Sequence, residues 1–180
     1  IHHTPILNST DLNEKIGTKI WLKCENFQKV GAFKFRGACN AVLPLEASVA
    51  KNGVATHSSG NHGQAIAKAA QIKGIPAYIV MPKNAPKVKI QAVKGYGAKV
   101  IYCEPNQLAR EQTLQDVIHQ TNAHFVHPYD NSDVILGQAS AAWEFLHQIP
   151  ELELIITPVG GGGLLSGSIL AAEAFHSRQK

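Results

Sequence analysis

The feature that most constrains the fold is a regular alternation of short apolar stretches with longer stretches of helical character, which begins after Gly53. The apolar stretches predict strands at residues 54–57, 77–81, 99–103, 125–127 and 152–159. The stretches between and after them predict helices at residues 64–73, 86–94, 108–120, 140–147 and 164–175. Because strands that alternate with helices of this length form βαβ units, the sequence predicts an α/β fold on a parallel sheet.

The first 50 residues are less regular. A short helix is predicted at residues 12–16, where Gly17 suits a left-handed cap. Alternating apolar residues predict a strand at residues 19–23. A further helix is predicted to start near Lys34 and to end where Pro44 interrupts it.

One lysine at the start of that helix lies between two phenylalanines, in the octapeptide GAFKFRGA at residues 31–38. The rings of Phe33 and Phe35 are expected to exclude water from the amine of Lys34, which favours its neutral form. A neutral lysine amine condenses with carbonyl compounds, so the site can hold a Schiff base. Taken alone, the pattern is more typical of a solvated lysine on an amphipathic helix.

Two turns share one design, in which an apolar strand runs into a glycine-bearing turn and then a helix. The turns are SSGNHG at residues 58–63 and GGGG at residues 160–163. A helix start presents unpaired N–H groups and a positive dipole end, and successive glycines can form a concave anion nest. The ordinary alternatives are a Ser or Asn helix cap for the first turn and a tight turn for the second. Two anion cradles and a Schiff-base lysine together match a phosphorylated aldehyde cofactor and a carboxylate substrate.

The main alternative to a site for a phosphorylated aldehyde is a nucleotide-binding site. Gly163 is followed by Leu164 and Leu165, so the lysine of a phosphate-binding loop is missing. Leu165 also stands where a dinucleotide fingerprint has its last glycine. A nucleotide-dependent oxidoreductase therefore stays a distant alternative.

Composition argues against several other classes of protein. The chain is 44% hydrophobic and 17% charged, with no apolar run near the roughly 20 residues of a membrane helix. Its three cysteines have no CxxC spacing, which predicts reduced thiols in a cytoplasmic protein. The nine histidines form no metal-binding pattern. The net charge is +4, but the basic residues are not interleaved with the aromatic residues that are typical of a nucleic-acid-binding surface.

Three motifs together resemble the serine racemase and threonine dehydratase family of fold-type II pyridoxal-phosphate enzymes. They are GAFKFRGA at residues 31–38, THSSGNHGQA at residues 56–65 and PVGGGG at residues 158–163. The likeness also includes AYIVMP at residues 77–82 and YCEP at residues 102–105, so it runs along nearly the whole chain. It implies a fold related to the β subunit of tryptophan synthase, with pyridoxal 5'-phosphate as the cofactor.

The resemblance implies a role for each residue of these motifs. Lys34 would bind the cofactor through a Schiff base and then act as the base at the substrate Cα, while Phe33 would pack near the cofactor ring. Asn61 would hydrogen-bond the phenolic oxygen of the ring. The phosphate would be held by the four glycines, Gly160, Gly161, Gly162 and Gly163.

The substrate carboxylate would lie in the first turn, and Ser59 would also be the acid–base residue on the face opposite Lys34. The residues that would hold the carboxylate are Ser58, Ser59, Gly60 and Asn61. The implied activity is dehydration (deamination), racemisation, or both, of small β-hydroxy amino acids such as threonine or serine. The sequence HPYD at residues 127–130 is closer to the dehydratase pattern than to the mammalian racemase pattern, so the preferred substrate stays open.

The resemblance also implies a small domain at residues 52–129, inserted into a large domain at residues 1–51 and 130–180. The full-length enzyme would be a homodimer. The partner of the pyridine nitrogen and the rest of the large-domain sheet would lie beyond Lys180, so we expect the large domain to be truncated here. The alternative from another class is a catalytically inactive fragment that keeps the cofactor cradle.

Overall fold

The computed structural model describes residues 1–177. It begins with an antiparallel ribbon of strands β1 (Ile6–Asn8) and β2 (Trp21–Lys23), with helix α1 (Thr10–Ile16) between them. Gly17 ends α1 in the left-handed conformation, with φ of 75°, as the sequence predicts. Two 3-10 turns, Glu25–Phe27 and Lys29–Gly31, then lead into helices α2 (Lys34–Val42) and α3 (Ala47–Ala50).

A four-stranded parallel sheet follows, which confirms the predicted α/β class. Its strands are β3 (Val54–His57), β4 (Ala77–Pro82), β5 (Lys99–Cys103) and β6 (His124–Phe125), in the spatial order β5-β4-β3-β6. The connecting helices are α4 (Asn61–Lys73), α5 (Lys87–Gly95) and α6 (Gln107–Thr121). Helices α7 (Ser132–Gln148) and α8 (Gly163–Ser177) come after the sheet.

The sheet is covered on both faces, as the apolar character of its strands requires. On one face, Val54 and Ile79 pack in a core cluster with Phe35 of α2 and the alanine-rich α4. On the other face, Ala55 and Val80 pack in a second cluster that includes α6. The small side chains of α4 allow that helix to lie close to both α2 and the sheet.

Helices α2 and α7 cross at a contact between glycines. A Cβ atom added to Gly137 would lie 2.5 Å from the Cα atom of Gly37 and 2.7 Å from the carbonyl oxygen of Arg36. The side chain of Gln138 accepts a 3.1 Å hydrogen bond from the backbone N–H of Gly37 across the same contact. The position of α2, which carries Lys34, is therefore set by α7.

An ion-pair network fastens the same two helices to the N-terminal segment. Arg36 is 1% exposed, and its guanidinium donates hydrogen bonds of 2.7–2.8 Å to Glu25 and Glu144. Lys23 donates a further 2.9 Å bond to Glu144. Burial by itself would raise the pKa of Glu144, but the hydrogen bonds from Arg36 and Lys23 outweigh burial and lower the pKa to about 2.

The two largest differences between the sequence predictions and the structure concern a strand and the start of a helix. The predicted strand at residues 152–159 is wrong for the described chain: no strand is present there, and Leu154, Ile156 and Val159 are 73%, 85% and 62% exposed. A strand exists only where it pairs, and no segment within residues 1–177 pairs with this one. Helix α7 also begins at Ser132, eight residues before the predicted start, because Asn131 caps it by accepting from the N–H of Val134.

None of the helices within residues 1–177 combines the length and the apolar character that a membrane crossing needs.

We expect Gly137→Ala to destabilise the fold, because the added methyl group would meet the backbone of α2 and not a movable side chain. Overpacking of this kind costs about 1–3 kcal/mol, which should lower the midpoint of urea unfolding. Gly95→Ala is the matched control, since Gly95 is also in a helix but nothing lies within 4 Å of its Cβ position. Equal midpoints for the two variants would contradict a close contact between α2 and α7.

Candidate active site

Residues 126–129, which follow strand β6, link the starts of helices that carry the sequence motifs. His62, in the first turn of α4, has its Nε2 atom 3.2 Å from the carbonyl oxygen of Val126. Lys34, the first residue of α2, donates a 2.7 Å hydrogen bond to the carbonyl oxygen of Pro128. Tyr129, in the same segment, packs against the glycine run at the start of α8. The segment therefore brings all three motifs to one place.

The amine of Lys34 is partly buried, and burial lowers its pKa. The ring of Phe33 borders the amine, with its centroid 5.3 Å from Nζ. Phe35, the other flanking phenylalanine, is fully buried in the core, where its ring lies 5.8 Å from the amine of Lys29. The apolar setting of Lys34 thus comes from Phe33 and from burial.

The turn between β3 and α4 presents its backbone N–H groups without a side-chain cap. Gly60 occupies the N-cap position, and no side chain caps the helix there. The alternative that a Ser or Asn side chain caps α4 is therefore wrong. The Ser58 hydroxyl accepts from the N–H of Gly60 at 3.2 Å, and Ser59 is partly buried beside it. The first-turn amides are therefore available to an anion such as a carboxylate.

Asn61 begins α4, and its Oδ1 atom accepts a 2.9 Å hydrogen bond from Lys89. This contact orients the side-chain amide and leaves its Nδ2 hydrogens outside that bond. A side chain held in this way can donate to an oxygen atom of a ligand.

The four glycines at residues 160–163, the last of which begins α8, divide into two kinds. A Cβ atom at Gly161 would overlap the ring of Tyr129, and one at Gly163 would lie 3.0 Å from the Tyr129 carbonyl oxygen. Nothing lies within 4 Å of the Cβ positions of Gly160 and Gly162, and Gly162 has φ of 87°. The run therefore packs on one side against Tyr129 and leaves open space at two of its residues.

Burial lowers the pKa of three histidines around this segment. Burial lowers the pKa of His62 to about 3, and its Nε2 must carry the hydrogen because the Val126 carbonyl can only accept. Burial also lowers the pKa of His57 and of His127. Each of these shifts favours the uncharged ring.

The sequence places His57 in the motif THSSGNHGQA and His127 and Tyr129 in HPYD, but it did not predict that these three side chains lie together. The structure places their rings in a row with Phe125, with centroids 4.6–6.3 Å apart between successive members. One signal could have found them: strands β3 and β6 are parallel neighbours, so the residues at their carboxyl ends meet at one edge of the sheet. Within residues 1–177 no group of three His, Cys, Asp or Glu side chains is arranged to hold a metal ion.

Comparison with known proteins gives a consistent set of similarities. Residues 1–179 match the family model described as pyridoxal-phosphate dependent enzyme. The chain is 52% identical over 174 residues to serine racemase from Arabidopsis thaliana, an alignment that covers 97% of this chain and 53% of that protein. It is 47% identical over 170 residues to beta-hydroxyaspartate dehydratase from Paracoccus denitrificans, covering 94% and 54% of the two chains.

The fold has solved counterparts as well. The structure of maize serine racemase superposes with a TM-score of 0.96 at 45% identity, and the match covers 98% of this chain and 54% of that one. The chain thus spans about half the length of the curated relatives and solved structures that it matches.

We expect the amine of Lys34 to react at lower pH than an ordinary lysine amine. Burial lowers its pKa, so a larger fraction is neutral at a given pH, and the neutral amine is the nucleophile. Mass spectrometry of the peptide that contains Lys34, after brief exposure to an amine reagent at a series of pH values, measures the midpoint. Phe33→Ala should raise the midpoint because it admits water to the amine. A midpoint at the ordinary lysine value in the unaltered protein would contradict the buried setting.

Proposed function

The chain belongs to the family of pyridoxal-phosphate-dependent enzymes, and from this premise we propose that it acts in the dehydration or racemisation of small β-hydroxy amino acids, such as serine or threonine. The observation that carries the proposal is the convergence, at residues 126–129, of a partly desolvated lysine, an uncapped helix start and a glycine run. The relatives include a serine racemase and a dehydratase of a β-hydroxy amino acid, which supports both reactions.

The residues present fit the chemistry of the cofactor. Its aldehyde requires an amine that is neutral near physiological pH, and burial moves Lys34 in that direction. Its phosphate requires several N–H donors, which the open side of the glycine run and the start of α8 can offer. We propose that the cofactor is held by Phe33, Lys34, Asn61, Gly160, Gly161, Gly162 and Gly163.

When bound, the cofactor supplies an electron-withdrawing ring that accepts the electron pair left on Cα after its proton is removed. The chain supplies binding and proton transfer. Residues 58–61, namely Ser58, Ser59, Gly60 and Asn61, would bind the substrate carboxylate through first-turn N–H groups and hydroxyls. Lys34 would take the proton from Cα, and the Pro128 carbonyl, which accepts from Nζ at 2.7 Å, would orient the amine. In racemisation, the Ser59 hydroxyl would return a proton to the other side of Cα; in dehydration, the β-hydroxyl group would leave as water with the proton that Lys34 took from Cα.

Two further features are proposals. We propose a small domain at residues 52–129 and a large one at residues 1–51 and 130–180, a division supported by a parallel sheet whose strands all lie between Val54 and Phe125. We also propose a cytoplasmic homodimer. Cys24, Cys39 and Cys103 are free thiols, which supports a reducing compartment, and the dimer follows from the family resemblance.

Cofactor binding without turnover is the second candidate. It is favoured by the segment at residues 152–159, which leads directly into the glycine run, has exposed apolar residues and pairs with no strand in the part of the chain that the structure describes. A run that follows an unpaired segment is less firmly placed than one that follows a strand in a sheet. Titration with pyridoxal phosphate, followed by assays of serine and threonine for 2-oxo acid and for the opposite enantiomer, separates the two candidates.

Treatment with pyridoxal phosphate and then borohydride should attach the pyridoxyl group to Lys34. The expected selectivity follows from the lowered pKa of this amine and from its hydrogen bond to Pro128, the neighbour of the tyrosine that packs against the glycine run. Peptide mapping by mass spectrometry measures it. Labelling mainly at Lys23 or Lys29, the nearby lysines in the sequence, would overturn both the assignment of Lys34 and the proposed use of the cofactor.

Ser59→Ala should abolish the interconversion of serine enantiomers while some elimination from the L-enantiomer remains. A general acid–base group contributes about 10²–10⁴-fold, so the loss of racemisation should lie in that range. Ser58→Ala is the matched control, because the Ser58 hydroxyl accepts from the N–H of Gly60 and should affect both reactions alike. If Ser59→Ala reduced both rates equally and slightly, Ser59 would be no more than part of the turn.

A further inference from the structure

Tyr129 supports the glycine run from one side. The ring carbons Cγ, Cδ1 and Cδ2 of Tyr129 occupy the space where Gly161 would carry a Cβ atom. The backbone and Cβ of the same tyrosine lie 3.0–3.2 Å from the Cβ position of Gly163. Gly160 and Gly162, by contrast, have nothing within 4 Å on their Cβ side. The two sets of glycines alternate, so one side of the run contacts the protein and open space remains at the other two residues.

Contacts on both sides of Tyr129 fix its position. The ring of His127 meets the Tyr129 ring edge-on, with centroids 4.6 Å apart, and its Nδ1 accepts from the backbone N–H of Asp130 at 2.8 Å. The N–H of Val126 donates to the carbonyl of Ala55 at 3.0 Å, which extends the pairing of β6 with β3. Pro128, between these residues, accepts the hydrogen bond from Lys34.

A run of four glycines needs such support. Glycine loses more conformational freedom on ordering than any other residue, so an unsupported run would bind a ligand only after a large loss of entropy. A rigid aromatic ring packed on the backbone excludes many of the alternative conformations before the ligand arrives, and this preorganisation raises affinity.

We propose that Tyr129 is a positioning residue of the cofactor site: its ring holds the glycine run in the conformation that binds the phosphate, and the adjacent Pro128 carbonyl ties that run to the amine of Lys34. The identity of the ligand rests on the proposed function. The contact atoms are ring carbons, so the aromatic body matters and the hydroxyl group does not.

The first test compares dissociation constants for pyridoxal phosphate, measured by absorbance titration of the intact protein. Tyr129→Ala should weaken binding by about tenfold or more, while Tyr129→Phe should keep the affinity of the unaltered protein. Tyr129→Leu has a side chain of substantial volume but no planar ring, and it replaces Tyr129→Ala in the comparison if the alanine variant does not fold. Unfolding midpoints without ligand are the second readout, and they should change little because Tyr129 is 40% exposed.

The second test is a double-mutant cycle between Tyr129 and the glycine run. Gly161→Ala alone should weaken binding because its methyl group meets the Tyr129 ring. Removal of the ring removes the clash, so Tyr129→Ala combined with Gly161→Ala should bind more tightly than the sum of the single effects predicts. Gly160→Ala is the matched control: its Cβ position is open, and its effect should add to that of Tyr129→Ala.

The outcomes separate this inference from the proposed function. Unaltered affinity in Tyr129→Ala or Tyr129→Leu, or additive effects of the Tyr129 and Gly161 substitutions, would overturn the role of Tyr129 alone. A failure of the unaltered protein to bind pyridoxal phosphate would overturn the proposed function and the role of Tyr129 with it. A loss of affinity in Tyr129→Phe as large as in Tyr129→Ala would overturn the role of Tyr129 alone, since the ring would then not be the supporting group.

Discussion

The buried guanidinium of Arg36 is the interaction on which the arrangement of the site depends. A charge that is 1% exposed is tolerated only if it is paired, because an uncompensated buried charge costs several kcal/mol. Arg36 meets that requirement only when Glu25, from the first 3-10 turn, and Glu144, from α7, are both in place. Lys34 lies two residues earlier on the same helix. The network that satisfies the arginine therefore also fixes the direction from which the amine of Lys34 approaches the sheet edge.

Helices α2 and α4, which begin near residues 126–129, lack side-chain N-caps. Helices α1, α6 and α7 begin with side-chain caps from Ser9, Asn106 and Asn131, whereas α2 and α4 begin without one. Helix α5 also starts without a side-chain cap, behind Pro86, so the property is shared more widely than the site. At the start of α2 the N–H groups of Phe35 and Arg36 donate to backbone carbonyls, so the uncapped start of α4 is the positive end that remains available at the site, where a negatively charged ligand would be stabilised. A phosphate and a carboxylate suit this arrangement better than a neutral ligand does.

The sequence predicted those parts of the fold whose signals are local. The alternation of strands and helices gave the α/β class, and strand β5 was predicted with its observed bounds, Lys99–Cys103. The contact of Lys34 with Pro128, 94 residues away, and that of Arg36 with Glu144, 108 residues away, have no periodic or local signal. The strand predicted at residues 152–159 failed for a related reason: its apolar residues are a local signal, but pairing is a property of two segments.

The glycine run shows why a motif can be found from sequence while its physical basis is not. Four consecutive glycines suggest one cause, the close approach of an anion to the backbone. In the structure Gly161 and Gly163 are glycine because Tyr129 packs there, and only Gly160 and Gly162 leave open space. The run and the segment HPYD at residues 127–130 are therefore one unit, although about 30 residues separate them in the sequence. A substitution at residue 129 would therefore change the packing of the glycine run, even though the run itself was unaltered.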